Sequence, residues 1–209
     1  MTRRLLPIIV WSLPFLAGCG GGGGSAPTSP SSTSPTNTPA AAKDETPPVL
    51  AAAFVPAGQA VAFYIFGVTL PSGVQNPTYE IETADQTPAV FAASSGKIVA
   101  ITPSSNGIDR TITIVPSDAS VWSIIYDHVS NVRVSVGQTV AAGVEIGTVG
   151  VLNNGRGRTE LQVNRFDPAP TLSYCPSTFG TSAVNAAFAS AALRLNGNAT
   201  VCTATTVKP

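Results

Sequence analysis

Few side chains in this protein are equipped for acid–base, nucleophilic or metal chemistry. Its 209 residues include one histidine, His128, and three cysteines, Cys19, Cys175 and Cys202. Imidazole changes charge near neutral pH and is the commonest metal ligand, so all imidazole chemistry here rests on His128. That residue is flanked by Ile124, Ile125 and Val129, and a histidine in such an apolar run is expected to be packed and hydrogen-bonded. Arg156 and Arg158 bracket Gly157. A guanidinium stays charged at any physiological pH, and this pair reads as a solvated turn. Trp122 and Tyr126 are expected in the core rather than on a sugar-stacking platform.

The elements around these residues read as strands. Alternating or β-branched runs occur at 60–66, 79–83, 97–102, 111–115, 121–126, 144–149 and 160–163, punctuated by Gly, Pro, Asn and Asp at 71–73, 104–109, 116–118 and 153–155. Short strands at close spacing with turn residues between them predict an all-β sandwich or barrel. The tail departs from this pattern. Ser182 is placed to cap a helix through Ala183 to Leu193, with Asn196-Gly197 ending it.

The first eighteen residues have the parts of a secretory signal. Arg3 and Arg4 precede an apolar stretch at 5–18 broken by Pro7, Ser12 and Pro14, shorter than the about 20 apolar residues a membrane span needs. The stretch ends in Leu16-Ala17-Gly18-Cys19, which resembles the lipobox of bacterial lipoproteins. That resemblance implies lipid on the Cys19 sulfur and cleavage before it. With Gly20 rather than aspartate next, it also implies an exported protein, lipid-anchored at the cell envelope on the outer membrane facing the periplasm. Residues 19–48 are rich in Gly, Ser, Thr, Pro and Ala and bury too little to fold alone, so they are expected to form a disordered linker. With Cys19 lipidated, Cys175 and Cys202 are left to pair in an oxidising compartment. Acidic and basic residues balance at 11 each. Loss of Arg3 and Arg4 leaves a mildly acidic chain, which argues against nucleic acid as a partner.

The glycine-punctuated segment at 134–150 predicts compact hairpins with Val and Ile inward. As a pattern it resembles both the biotinyl/lipoyl carrier domain and the lysostaphin/LytM-type zinc peptidase domain of peptidoglycan enzymes. No Met-Lys-type motif of a carrier is present. Three further segments resemble the peptidase. Thr87-Pro88-Ala89-Val90-Phe91-Ala92 resembles its T-P-V-x-A strand pair, Tyr126-Asp127-His128-Val129-Ser130 its Y-x-H-L-S stretch, and Phe166-Asp167-Pro168 its V-D-P close. The resemblance covers about 76–170 and implies a barrel-sandwich hybrid β-sandwich at 49–174; the capped helix and the Cys175–Cys202 pair add a disulfide-stapled C-terminal helical extension at 175–209.

The same resemblance implies where the active site would be. The family's H-x-x-x-D ligand pair falls on Asn76 and Glu80, and its H-x-H motif falls on Arg158-Thr159-Glu160. The former metal positions are therefore Asn76, Glu80 and Glu160, and the two catalytic histidine positions are His128, which is kept, and Arg158. An amide with two carboxylates is a hard oxygen set suited to Ca²⁺ or Mg²⁺ rather than zinc. The permanent charge of Arg158 also opposes a dication, and pairing with Glu80 or Glu160 would put it in the metal's place. The expected protein is thus a membrane-anchored, non-catalytic LytM-like domain without a cofactor, binding peptidoglycan or regulating a cell-wall hydrolase. The alternatives are a divergent zinc metalloendopeptidase cutting peptidoglycan cross-bridges and a structural envelope lipoprotein without ligand.

Overall fold

The computed structural model describes residues 42–209. The signal segment, Cys19 and the linker up to residue 41 lie outside the described residues. Eleven strands and one helix follow in chain order: β1 (Ala60–Tyr64), β2 (Tyr79–Thr83), β3 (Ala89–Phe91), β4 (Gly96–Pro103), β5 (Arg110–Val115), β6 (Trp122–Ser130), β7 (Thr139–Val140), β8 (Glu145–Val151), β9 (Gly157–Arg165), β10 (Leu172–Tyr174), α1 (Ser182–Asn196) and β11 (Thr206–Val207). The main sheet runs β1-β2-β9-β8-β6-β5-β4-β7, with β3 on β8 and β10 between β9 and β11. The all-β expectation holds, with α1 as the short helix.

Strand alternation builds the core. Ile98, Ile112, Ile114, Ile124, Tyr126, Ile146, Leu161 and Val163 are all but completely buried, each contributing about 1.5–3 kcal/mol. The buried Tyr126 hydroxyl accepts a 2.6 Å hydrogen bond from the Ala93 amide, so its polar end is satisfied.

A fork in the sheet places the site. Strand β6 pairs with β9 from Trp122↔Arg165 to Asp127↔Glu160, and beyond it Val129 and Ser130 pair with β8. The switch happens at His128, whose φ of 56° is left-handed, a conformation that costs a non-glycine residue roughly 1–2 kcal/mol. On the other side of the fork, Gly150 and Val151 of β8 pair with Arg158 and Gly157 of β9. A Cβ on Gly150 would lie 2.1 Å from the Asp109 carboxylate and 2.8 Å from the His128 carbonyl. Only glycine lets three strands meet here.

The segment 134–150 does not form the compact hairpins its glycines suggest. Strand β7 pairs with β4, while β8 pairs with β3, β6 and β9. Val140, Ile146 and Val149 are buried, but Val136 is 59% and Val144 38% exposed. Helix α1 also differs at its ends. Thr181, not Ser182, is the N-cap, accepting from the Val184 amide at 3.4 Å. The helix runs to Asn196 before Gly197 closes it at φ 75°.

Both outer boundaries shift. Packed structure begins before residue 49: the Asp44 amide donates to the Ala119 carbonyl at 2.8 Å, and the Trp122 indole donates to the Glu45 carbonyl at 3.0 Å. Lys43 forms an ion pair with Asp167. These polar residues gain order from hydrogen bonds rather than apolar burial, so composition does not reveal it. At the other end, residues 175–209 are woven into the same unit. Strand β11 pairs with β10, and Cys175 and Cys202 form a disulfide across 27 residues, a closure that contributes about 3 kcal/mol.

Candidate functional site

Side chains alternate along a strand, so β1, β2 and β9 have two unlike faces. Phe63, Tyr79 and Ile81 point inward, and Phe63 and Tyr79 meet Phe188 of α1 at ring-centroid distances of 6.0 and 5.4 Å. Tyr64, Glu80 and Glu82 are the alternate residues and occupy the opposite face. Helix α1 therefore packs behind the strands that carry the site carboxylates and does not cover them. Its last turn instead protects the open edge of β1: Asn196 donates to the Phe63 carbonyl at 3.0 Å and Arg194 to the Ala60 carbonyl at 3.0 Å.

On the polar face, Glu80 stands directly across from Glu160, and Glu160 from Asp127. Like charges opposite each other in a ladder are destabilising. Arg158, two residues before Glu160 on the same face, answers them. Its Nε lies 3.1 Å from Glu80 Oε1 and donates to Glu160 Oε1 at 3.1 Å, and a terminal nitrogen also donates to Glu160. The pairing is incomplete for Glu80: burial, reinforced by Glu160, pushes its carboxyl up to about 7 against the pull of Arg158. Burial works to lower the Arg158 pKa, but Glu160 and then Glu80 outweigh it and raise it. Next along the face, Arg156 forms a 2.8 Å ion pair with Glu82, which also accepts from the Tyr64 hydroxyl at 3.4 Å.

His128, with its side chain 4% exposed, occupies the fork. Its Nδ1 lies 3.1 and 3.3 Å from the two oxygens of Asp109, a fully buried carboxylate that also accepts from Asn106 at 3.1 Å and the Val151 amide at 3.2 Å. Its Nε2 has no hydrogen-bond partner among the described residues; Glu160 Oε1 is 3.6 Å away and Asp127 Oδ2 3.8 Å. Asp127 takes its hydrogen bonds at Oδ1, from Ser104 at 2.6 Å, Thr111 at 2.6 Å and the His128 amide at 2.9 Å. Burial alone would raise the Asp127 pKa, but the Ser104 and Thr111 bonds lead the opposing effects that hold it below the ordinary carboxylate range. Beside this node lies a cleft of about 190 Å³, lined by Asn106, Ile108, His128, Leu152, Asn153 and Arg158 among others.

The structure thus gathers Glu80, Glu160, Arg158 and His128, but not Asn76. The Asn76 amide, 2% exposed, donates to the Tyr64 and Ile65 carbonyls at 3.4 and 3.2 Å and accepts from the Thr78 amide and hydroxyl at 3.2 and 2.9 Å. Both of its donors and its oxygen are used in clipping the end of β1 to the start of β2. A zinc site does not fit these residues: the amide is committed, and a guanidinium holds both carboxylates. Among the described residues no group of three His, Cys, Asp or Glu side chains is arranged to hold a metal ion. Asp109 and Asp127 escaped the sequence reading. Asp127 adjoins the histidine, whereas Asp109 lies 19 positions away in a segment that reads only as a turn.

Residues 75–166, which span this face from Asn76 to the end of β9, match Peptidase family M23. Among solved structures, the antimicrobial peptidase lysostaphin from Staphylococcus simulans aligns at 23% identity over 69% of this chain and 56% of its own, with a TM-score of 0.49. A solution structure of lysostaphin aligns at 24% identity over 62% of this chain and 54% of its own, with a TM-score of 0.47. The catalytic domain of a prophage-encoded M23 protein from Enterococcus faecalis aligns at 20% identity over 57% of this chain and 92% of its own, with a TM-score of 0.46. The chain thus spans about half the length of the two lysostaphin structures. No curated protein matches it.

Proposed function

Taking residues 75–166 as a Peptidase family M23 domain, we propose that this protein is a non-catalytic wall-binding or hydrolase-regulating protein. A lipid on Cys19 tethers it to the envelope, and it works through the cleft beside His128 and Arg158. One observation carries the reading: Arg158 lies between Glu80 and Glu160 and contacts both. A guanidinium there neutralises the carboxylates that a metal would otherwise claim, and expelling it would cost several kcal/mol in a partly buried pair. The chemistry open to the site is then recognition: a fixed imidazole, a guanidinium and loop amides lining a small cleft.

The described chain enters the fold far from the cleft. Asp44 joins the fold beside Val121, at the start of β6, through a 2.9 Å bond from the Val121 amide to the Asp44 carbonyl. His128 lies six positions beyond Trp122 on that strand, roughly 20 Å away at the usual rise per residue. The cleft therefore lies at the opposite end of β6 from the point where Asp44 joins the fold.

The test is sedimentation of the purified protein with insoluble peptidoglycan, with and without added zinc. The expected result is a protein that pellets with the wall and releases no new amino groups. Zinc-dependent release abolished by a chelator would instead establish the divergent metalloendopeptidase. Neither pelleting nor capture of a hydrolase would leave a structural envelope role.

A further inference from the structure

A second cleft, of about 360 Å³, opens where the end of β4, the start of β5 and the end of β6 come together. Of its lining residues only Ile108 is shared with the cleft beside His128. Arg110 opens β5 opposite Val129, lines this second cleft and is exposed. It is the one arginine among the described residues without a partner. Arg133, Arg156, Arg158 and Arg165 pair with carboxylates, and Arg194 donates to backbone carbonyls. Asp109 adjoins Arg110 but forms no ion pair with it: that side chain is fully buried, and its oxygens are committed to Asn106, the Val151 amide and His128 Nδ1. The other open polar groups along the cleft are donors too. The Ser130 hydroxyl and the backbone amides of Asn131 and Val132 make no hydrogen bond among the described residues, although the next amide, of Arg133, donates to the Ile146 carbonyl at 3.0 Å. Ile101, Ile108 and Val132 give the cleft an apolar part, and Ile108 is 66% exposed.

We propose that this cleft binds the carboxylate at the C-terminus of a peptide whose last residues are small and apolar. A guanidinium presents a fork of N–H donors that fits a carboxylate bidentately, and the Ser130 hydroxyl and the two amides add donors beside it. Ile101, Ile108 and Val132 receive the side chains next to the carboxylate. A single negative charge suits the site better than a phosphate dianion, because the wall is largely apolar and the Asp109 carboxylate lies within it. The volume is near the lower end of ligand pockets, roughly 300–1,000 Å³, so it admits a short chain end rather than a long segment. The inference rests on the wall-binding reading for the source of the peptide, whereas the chemistry of the cleft is independent of the array around Arg158.

The test is a nuclear magnetic resonance titration of the purified protein with Nα-acetyl-alanyl-alanine, following the amides of Ser130, Asn131 and Val132. The controls are the same dipeptide as its C-terminal amide and inorganic phosphate. Saturable shifts with the free acid, and binding of both controls at least about tenfold weaker, support the site. No saturable shift, equal binding of the amide, or phosphate bound as tightly as the dipeptide overturns it. In Arg110→Gln the affinity for the dipeptide should fall about tenfold or more, the loss of a charged hydrogen bond, with the urea midpoint unchanged; retained affinity overturns the proposal. Ser130→Ala, with a smaller loss expected, provides the same test if the first variant is poorly folded. Sedimentation with peptidoglycan separates the two claims. Dipeptide binding by a protein that does not pellet supports the cleft and overturns the wall reading, and pelleting without dipeptide binding does the reverse.

Discussion

Strands β1, β2 and β9 are stabilised differently on their two faces. Towards α1, Phe63, Tyr79, Phe54 and Phe188 form an aromatic cluster with ring centroids 5.2–6.0 Å apart. On the reverse, Glu80, Glu82, Arg156, Arg158 and Glu160 form a charged array in which each group depends on a neighbour of opposite sign. Burial is additive and tolerant of the identity of its neighbours; charge compensation is conditional. Removing one cation from the array turns two stabilised carboxylates into a repelling pair. The apolar face accounts for the fold, and the charged face sets the chemistry of the site.

The comparison can be broken most forcefully on the apolar face. Phe188→Ala should cost about 4 kcal/mol, the usual loss for a buried phenylalanine, read as a lower urea midpoint while the Glu80 titration stays in place. Replacing the disulfide through Cys175→Ser and Cys202→Ser should cost about 3 kcal/mol, with β11 expected to lose amide-exchange protection before the main sheet does. Arg158→Leu should cost about 2–3 kcal/mol, below the full penalty of a buried broken pair because the guanidinium is 30% exposed. Adding Glu80→Gln to that variant should recover part of the loss, since the residual repulsion disappears.

The smallest effect is a pH dependence. The folded chain holds the Glu80 proton more tightly than the unfolded one, with the carboxyl raised from 4.5 to about 7. This contribution to stability is fully present below 4.5 and is lost as pH climbs through about 7. Stability should fall by about 1–2 kcal/mol across that window, and Glu80→Gln should flatten the slope. A slope unchanged in that variant would assign the titration elsewhere.

The sequence was legible where side-chain period alone decides. Residues 79–83 alternate cleanly, and the strand has those limits; the runs at 111–115 and 160–163 lie within β5 and β9. It was less legible where pairing is non-local. Nothing in 134–150 says that β7 leaves its neighbour for β4, because register depends on distant partners. The fork at His128 needs a left-handed histidine and a glycine at 150, and either residue alone reads as ordinary. At the site, the resemblance to the peptidase motifs implied that Glu80, Glu160, Arg158 and His128 belong together, and the strands gather them. It misplaced Asn76, because an asparagine amide serves a backbone clip as readily as a ligand set. Asp109 was invisible because its partner lies across the sheet.

The most direct test of the central claim, that Arg158 has replaced the metal, is the zinc content of the purified protein after incubation with excess zinc and desalting. The account predicts no retained zinc in the native protein. Near-stoichiometric zinc would contradict it and return Glu80, Glu160 and His128 to the role of ligands.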